Sequence, residues 1–201
     1  MNSQNASNKN PLYPVIVISG PTASGKTSLS MNLARLINAE IVSADSRQIY
    51  KGMDIGTAKP TAWEMQEIKH HFIDIIAPGE QFSAGEYGKA AREKITALRQ
   101  QNKNVVVAGG SGLYIRALLY GFISVQNKNE LIRKKLNNRL QKEGLEILYR
   151  ELCAVDADLA DRLSPNDTQR ILRGLEVFLI SGEKLSELQK MEETAAPFKY
   201  I

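Results

Sequence analysis

Residues 15–27 read VIVISGPTASGKT, and the order of features in this stretch decides the fold. VIVIS, residues 15–19, is a continuous apolar run led by β-branched side chains, the pattern of a strand buried on both faces. Gly20, Pro21, Thr22, Ala23, Ser24, Gly25, Lys26 and Thr27 then fit G-x-x-x-x-G-K-[ST], and a helical pattern from residue 26 to about 37 follows. Strand, glycine-flanked loop and helix together turn backbone N–H groups inward as an anion nest at a helix N-terminus. Lys26 adds a point charge toward an outer phosphate, and the Thr27 hydroxyl is the oxygen a hard cation such as Mg²⁺ takes. The alternative is a tight turn that merely contains a lysine, and the flanking strand and helix argue against it. The motif specifies phosphates without saying which molecule bears them.

Further along, short apolar runs alternate with helical stretches as far as Gly121. Strands are predicted at EIVSAD (40–45), HFIDII (71–76) and VVVAGG (105–110), with helices over 83–101 and from Ser111 to near Gly121. Such alternation predicts an α/β fold, a P-loop NTPase-like parallel sheet flanked by helices. Beyond Gly121 strand signals stop, and residues 127–190 read as helices broken near Gly144, at Ser164-Pro165 and at Gly182. This predicts four segments: a disordered lead over 1–13, an α/β core over 14–121, an inserted all-helical subdomain over 122–196, and over 197–201 a truncated return to the core. The last five residues, PFKYI, resemble the opening of a new strand.

Composition bounds the rest. With 43% hydrophobic and 24% charged residues, the 201-residue chain is globular in type. A lone cysteine, Cys153, excludes an intramolecular disulfide and suits a reducing cytosol. The polar N-terminus lacks the apolar core of a signal peptide, and no apolar run reaches the ~18 residues of a membrane span. The net charge of +4 concentrates in two stretches. Lys89, Arg92, Lys94, Arg99 and Lys103 stand against Glu93 alone, and Lys128, Arg133, Lys134, Lys135 and Arg139 against Glu130 alone. On charge alone, both are solvated helix faces.

A nucleotide-hydrolysing or phosphoryl-transferring reading of the loop meets an obstacle. Such enzymes end a second apolar strand in a metal-orienting Asp, whereas VVVAGG ends in glycines. The acid that does end a strand is Asp45, at the carboxyl edge of the sheet where the phosphates would lie. There it can bind Mg²⁺ through water or take a proton from a nucleophile; alone, an Asx turn accounts for it equally well.

The strings around it are more specific. GPTASGKT, DSRQIYKGMDIGTAKP, HHFIDI, GGSGLYIRALLYG and SPNDTQRILRGLEVFLISG occur in this order across residues 15–188. Together they resemble the bacterial tRNA dimethylallyltransferases, the tRNA isopentenyltransferase family. The resemblance implies transfer of a dimethylallyl group from its pyrophosphate to N6 of the adenosine 3′ of the anticodon. The loop then grips a pyrophosphate leaving group, with Lys26, the nest and Mg²⁺ stabilising its charge, and the absent strand Asp is accounted for. Asp45 matches the acid that binds N6 and takes its proton, and Ser111 matches a hydroxyl position, Thr in many relatives, that positions the adenosine. The base must leave its stack to react. Asp45, Ser46, Arg47 and Gln48 match contacts to the displaced loop, as do Gln169, Arg170, Ile171, Leu172 and Arg173 from the other side. Arg133 matches a further contact to tRNA, which shifts the 128–139 stretch toward the anticodon stem, although Arg173 can equally pair with Glu176. The implied partners are the tRNA anticodon stem-loop and dimethylallyl pyrophosphate, with a monomer working in the cytoplasm.

Departures accompany the resemblance. Ser164 stands where relatives usually carry His, and it can cap the turn that follows. Relatives continue for roughly another hundred residues, an estimate within the ordinary range of a domain, and these carry a further arginine for the pyrophosphate. The 201-residue chain is therefore expected to bind donor weakly and turn over poorly. His70-His71 is not a metal pair, since strand neighbours face opposite ways. Trp63, Met65 and Ile68 are expected to pack a short helix. The rival readings are an adenylate isopentenyltransferase acting on a free nucleotide, a P-loop nucleotide kinase, and an RNA-binding module with a vestigial loop.

Overall fold

The computed structural model describes residues 12–121, 129–191 and 195–201, which group into two compact units: 12–121 with 195–201, and 129–191. In the first unit the apolar runs become strands β1 (Ile16–Ser19), β2 (Ala39–Ser43), β3 (His70–His71) and β4 (Asn104–Gly109). They form a parallel sheet in the order β1-β4-β2-β3, with Val17 opposite Val107 and Val42 opposite that same residue on the other side. Because all run the same way, β1, β4 and β2 deliver Ser19, Gly109 and Ser43 to one edge.

Helices α1 (Lys26–Ile37), α2 (Ala62–Glu67), α3 (Ala84–Gln100) and α4 (Gly112–Tyr120) belong to this unit. Val106 and Ile41 pack with Met31 and Ala34 of α1, while Val105, Val107 and Val42 pack with Tyr87, Ile95 and Leu118 of α3 and α4. The unbroken VVV run thus reflects burial on both faces. A Cβ on Gly88 would lie 2.7 Å from the Ala117 carbonyl oxygen, so the α3–α4 contact requires glycine there. Tyr87 stacks on Tyr114 at 4.2 Å, meets Phe72 edge-on at 5.3 Å and donates its hydroxyl to the Ser43 carbonyl. Burial pushes the Tyr87 phenol well above its ordinary value and that of Tyr114 up to about 12.

Four expectations need correction in this unit. Of HFIDII only His71 lies in a strand, with His70 in β3, because Phe72 (φ 64°) and Asp74 (φ 54°) turn the chain through the left-handed region. That turn buries Phe72 and brings Asp74 to Lys59, at 2.7 Å. Trp63 is 66% exposed on α2; only Ile68 is buried, with Met65 between them in exposure. The 89–103 cations are not all a solvated face, since Arg92 donates to the Leu118 carbonyl and Arg99 to that of Tyr13. Residues 199–201 lie along β1: Val15 N–H donates to Lys199 O and Val17 N–H to Ile201 O, each at 2.8 Å. Ala196, placed by sequence with the helices, donates to Leu119 O and belongs to this unit.

The second unit contains α5 (Glu130–Glu143), α6 (Leu145–Val155), α7 (Ala157–Ala160), α8 (Thr168–Ser181) and α9 (Leu185–Met191). Leu136, Leu148, Leu152, Ile171 and Leu175 make its core. Gly144 (φ 84°) and Gly182 (φ 73°) supply the left-handed breaks. An unanticipated break falls at Asp156, whose carboxylate accepts from Leu159 N–H to cap α7 and from Ser186 N–H in the first turn of α9. Ser164 Oγ accepts from Asn166 N–H in the turn before α8, and Asp167 caps the helix itself. Lys128 and the predicted boundary at 121–122 fall at or within the stretch 122–128, outside the described residues.

Candidate functional site: the phosphate loop and the arginine face

At the carboxyl edge of the sheet lies a cavity of about 240 Å³, walled by residues 22–28 of the loop and by Ser43, Asp45, Gln48, Thr57, Ala58, Pro60 and His70 among others. Gly25 (φ 80°) caps α1 in the left-handed region, which a side chain would strain, and so aims the first turn of N–H groups at the cavity. Lys26 folds back on its own loop: Nζ donates to the Pro21 carbonyl and lies 3.4 Å from Ser24 Oγ. Lys26 and Thr27 share the wall with Asp45, whereas Gly20 and Pro21 stand outside it.

Asp45 makes the Asx turn its sequence position allowed and also lies on the cavity wall. Oδ1 accepts from Arg47 N–H at 2.8 Å and Gln48 N–H at 3.3 Å, an Asx turn, and this fixes the carboxylate. Oδ2 would lie 4.0 Å from a Cβ on Gly110, which itself would sit 3.5 Å from Gly20 O. β4 and β2 come close enough for a Cβ on Gly109 to strike Ala44 O at 2.1 Å, so the GG of VVVAGG is what lets Asp45 stand beside the loop. Ser111 is held by its N–H to Ala44 O at 3.1 Å and caps α4; its side chain is not part of the cavity wall.

Of the other residues in 45–48, Ser46 and Arg47 are exposed, while the Gln48 amide is consumed internally. It accepts from Ser43 Oγ at 3.0 Å and donates to the carbonyls of Thr57 and Ala58, tying the far wall to β2. Lys59, its side chain 4% exposed, braces the same loop against Asp54 and Asp74. Burial opposes its charge, but the two carboxylates outweigh this and hold its pKa above the ordinary value. His70 reaches the wall with Nδ1 2.7 Å from Ile68 O, and burial lowers its pKa, favouring the neutral ring. His71 instead pairs with Glu40 at 2.7 Å, so the two rings do part company. Sequence reasoning missed Ser43, Thr57, Ala58, Pro60 and His70; their places at a strand end and within GTAKP were the available signals.

In the helical unit, Gln169 and Arg170 are exposed, and Arg170 pairs with Asp167 at 2.6 Å. Ile171 is a correction: it is 0% exposed in the helical core, so its side chain is closed to RNA, and Leu172 packs against the same core. Arg173 Nη1 donates to Glu176 Oε2 at 2.8 Å, and Arg133 Nε lies 3.7 Å from Oε1 of the same carboxylate. Arg139 is bound by both Glu143 and Glu151. Cys153 is exposed.

Residues 48–201 match the model of the IPP transferase family. The chain belongs to the IPP transferase family. It is 50% identical over 184 residues to a tRNA dimethylallyltransferase of Chlorobaculum parvum, covering 92% of this chain and 58% of that one. With the tRNA dimethylallyltransferase of Bacillus subtilis identity is 42% over 185 residues, covering 92% and 59%. The chain thus spans under two thirds of these relatives' length. Among solved structures, a tRNA isopentenylpyrophosphate transferase from Staphylococcus epidermidis matches at 39% identity and TM-score 0.54, over 94% of this chain and 62% of that one. A eukaryotic dimethylallyltransferase acting on tRNA matches at 29% identity and TM-score 0.79, over 93% and 46%.

Two oxygen donors suited to a hard cation, the Thr27 hydroxyl and the Asp45 carboxylate, belong to residues that line this cavity. Among the described residues no group of three or more His, Cys, Asp or Glu can hold a metal. A cation here would complete its shell with phosphate oxygens and water, the habit of Mg²⁺. Among the same residues no helix is long and apolar enough to cross a membrane.

Proposed function

We propose that this IPP transferase moves a dimethylallyl group from dimethylallyl pyrophosphate to N6 of the adenosine 3′ of the anticodon in cytoplasmic tRNA. The observation that carries the reading is Asp45: one carboxylate oxygen is fixed by backbone N–H groups, and the residue shares a cavity with the phosphate loop. Pyrophosphate lies against residues 20–27, where Lys26 and the N–H nest take up the charge of the departing oxygen. Thr27, with Asp45 through water, would hold Mg²⁺, which supplies further charge neutralisation on the leaving group. N6 forms a bond to the allylic carbon, the carbon–oxygen bond breaks with its electron pair leaving on pyrophosphate, and Asp45 Oδ2 accepts the N6 proton. Ser111 and the exposed Ser46 and Arg47 position the flipped nucleotide, with Gln48 as an alternative contact only if its amide is released. In the helical unit Arg133, Gln169, Arg170 and Arg173 meet the RNA, and the protein acts as a monomer.

The test is incorporation of labelled dimethylallyl into tRNA, with AMP as rival acceptor and labelled ATP as rival donor. Label on tRNA supports the reading. Label on AMP alone, or γ-phosphate transfer from ATP, overturns it.

A further inference from the structure

Two carboxylates are buried among the described residues of the helical unit, and they are used differently. Asp156, 1% exposed, has both oxygens hydrogen-bonded, to Leu159 N–H at 3.1 Å and Ser186 N–H at 2.9 Å. Glu176, 3% exposed, has one oxygen on Arg173 at 2.8 Å, while Oε1 lacks any hydrogen-bond partner among the described residues. Arg133 Nε lies 3.7 Å from that oxygen. A buried carboxylate with a bare oxygen destabilises unless something compensates, and an apolar side chain would fill the same space at lower cost. Local stability therefore does not account for Glu176.

What Glu176 does accomplish is to gather two guanidinium groups, one from α5 and one from α8. Left alone, two like charges so placed would repel; the carboxylate between them offsets this and leaves the trio one charge positive. Both arginines stay open, at 54% for Arg133 and 38% for Arg173. Arg173 commits one N–H to Glu176 and Arg133 none at hydrogen-bond distance, so most of their forked donors remain available. That fork matches the paired oxygens of a phosphate, for which lysine offers only a point charge.

We propose that Glu176 is a positioning residue that sets Arg133 and Arg173 as a clamp for a backbone phosphodiester of the RNA. This rests on the RNA-acceptor reading above. The opposite role, Glu176 sequestering the arginines from RNA, predicts the opposite sign for one substitution.

The experiment measures binding of an anticodon stem-loop RNA to the 201-residue chain over a range of salt, with pyrophosphate binding as a control on the other unit. Arg133→Ala and Arg173→Ala should each weaken RNA binding about 10- to 100-fold, and flatten the log–log salt slope by roughly 0.7–0.9. Glu176→Gln should also weaken it, although it removes a negative charge, and combined with Arg133→Ala should cost little more than Arg133→Ala alone. Tighter binding by Glu176→Gln would overturn the proposal. Arg133→Lys and Arg173→Lys leave the buried carboxylate in place; they should weaken binding, and wild-type affinity in both would overturn the clamp. If the stem-loop binds and none of these variants changes its affinity, the clamp falls while the acceptor reading stands. If the wild-type chain prefers the stem-loop no more than a homopolymer RNA, the acceptor reading falls and the clamp with it.

Discussion

The phosphate loop and the arginine face present positive charge and N–H donors by opposite means. In the loop, polarity comes from backbone: Gly25 in the left-handed region, the first turn of α1, and a lysine resting on its own loop's carbonyl. On the helical unit it comes from side chains, and each arginine singled out there is already engaged by a carboxylate, Arg133 and Arg173 by Glu176 and Arg170 by Asp167. Backbone donors need little further support once the turn forms. Long cationic side chains need a counter-charge to share one place, so charge counted along the sequence overstates the charge available to a ligand.

The contrast can be broken most decisively at Asp45. Asp45→Asn should lower transfer by about 10²- to 10⁴-fold, the usual contribution of a general base, with donor affinity preserved. Single-turnover transfer and pyrophosphate titration measure the two; loss of donor binding alone would assign Asp45 to the phosphates. Lys26→Ala should weaken pyrophosphate binding by about 1.5–3 kcal/mol and leave stem-loop affinity unchanged, as calorimetry and anisotropy would report.

Packing offers a second pair. A Cβ on Gly109 meets the backbone oxygen of Ala44 at 2.1 Å, whereas one on Gly174 of α8 meets only the side-chain ends of Leu152 and Leu159 at 2.7 Å. Gly109→Ala should therefore destabilise by about 1–3 kcal/mol in urea unfolding. Gly174→Ala should change stability by less than about 1 kcal/mol, since a gain in helix propensity of similar size opposes the displaced leucines.

The smallest effect concerns the capping box at the start of α2, where Thr61 and Glu64 hydrogen-bond reciprocally. Backbone and side-chain bonds from Thr61 hold the Glu64 carboxyl below its ordinary range. A depressed carboxyl contributes stability that is present above its unfolded pKa and lost as pH falls through the folded one. Thr61→Ala should thus cost about 1 kcal/mol near neutrality, and the difference from wild type should shrink in melts below the usual carboxylate range.

Where structure follows from neighbours in sequence, the chain was legible. VIVISGPTASGKT specified β1, the loop and α1 to the residue or nearly so, and VVVAGG specified β4. Asp45 was found because strand ends in a parallel sheet collect at one edge. HFIDII misled because its turn answers to Lys59, fifteen residues away from Asp74. Arg139–Glu143 can be read from helical spacing, but Arg139–Glu151 and Arg133–Glu176 join different helices. Ile171 is a different kind of miss: its spacing to Leu175 already marked a core face, and the surrounding QRILR string drew attention away from it.

The exposure of Trp63 carries a practical consequence. It is the chain's one tryptophan and lies on the first unit, while the one cysteine, Cys153, is exposed on the second. Indole emission will already be close to that of a solvated ring in the native state, so it will report melting of the first unit only faintly. A thiol-coupled dye at residue 153 gives the helices a colour of their own, so unfolding of the second unit can be watched without any engineered probe site.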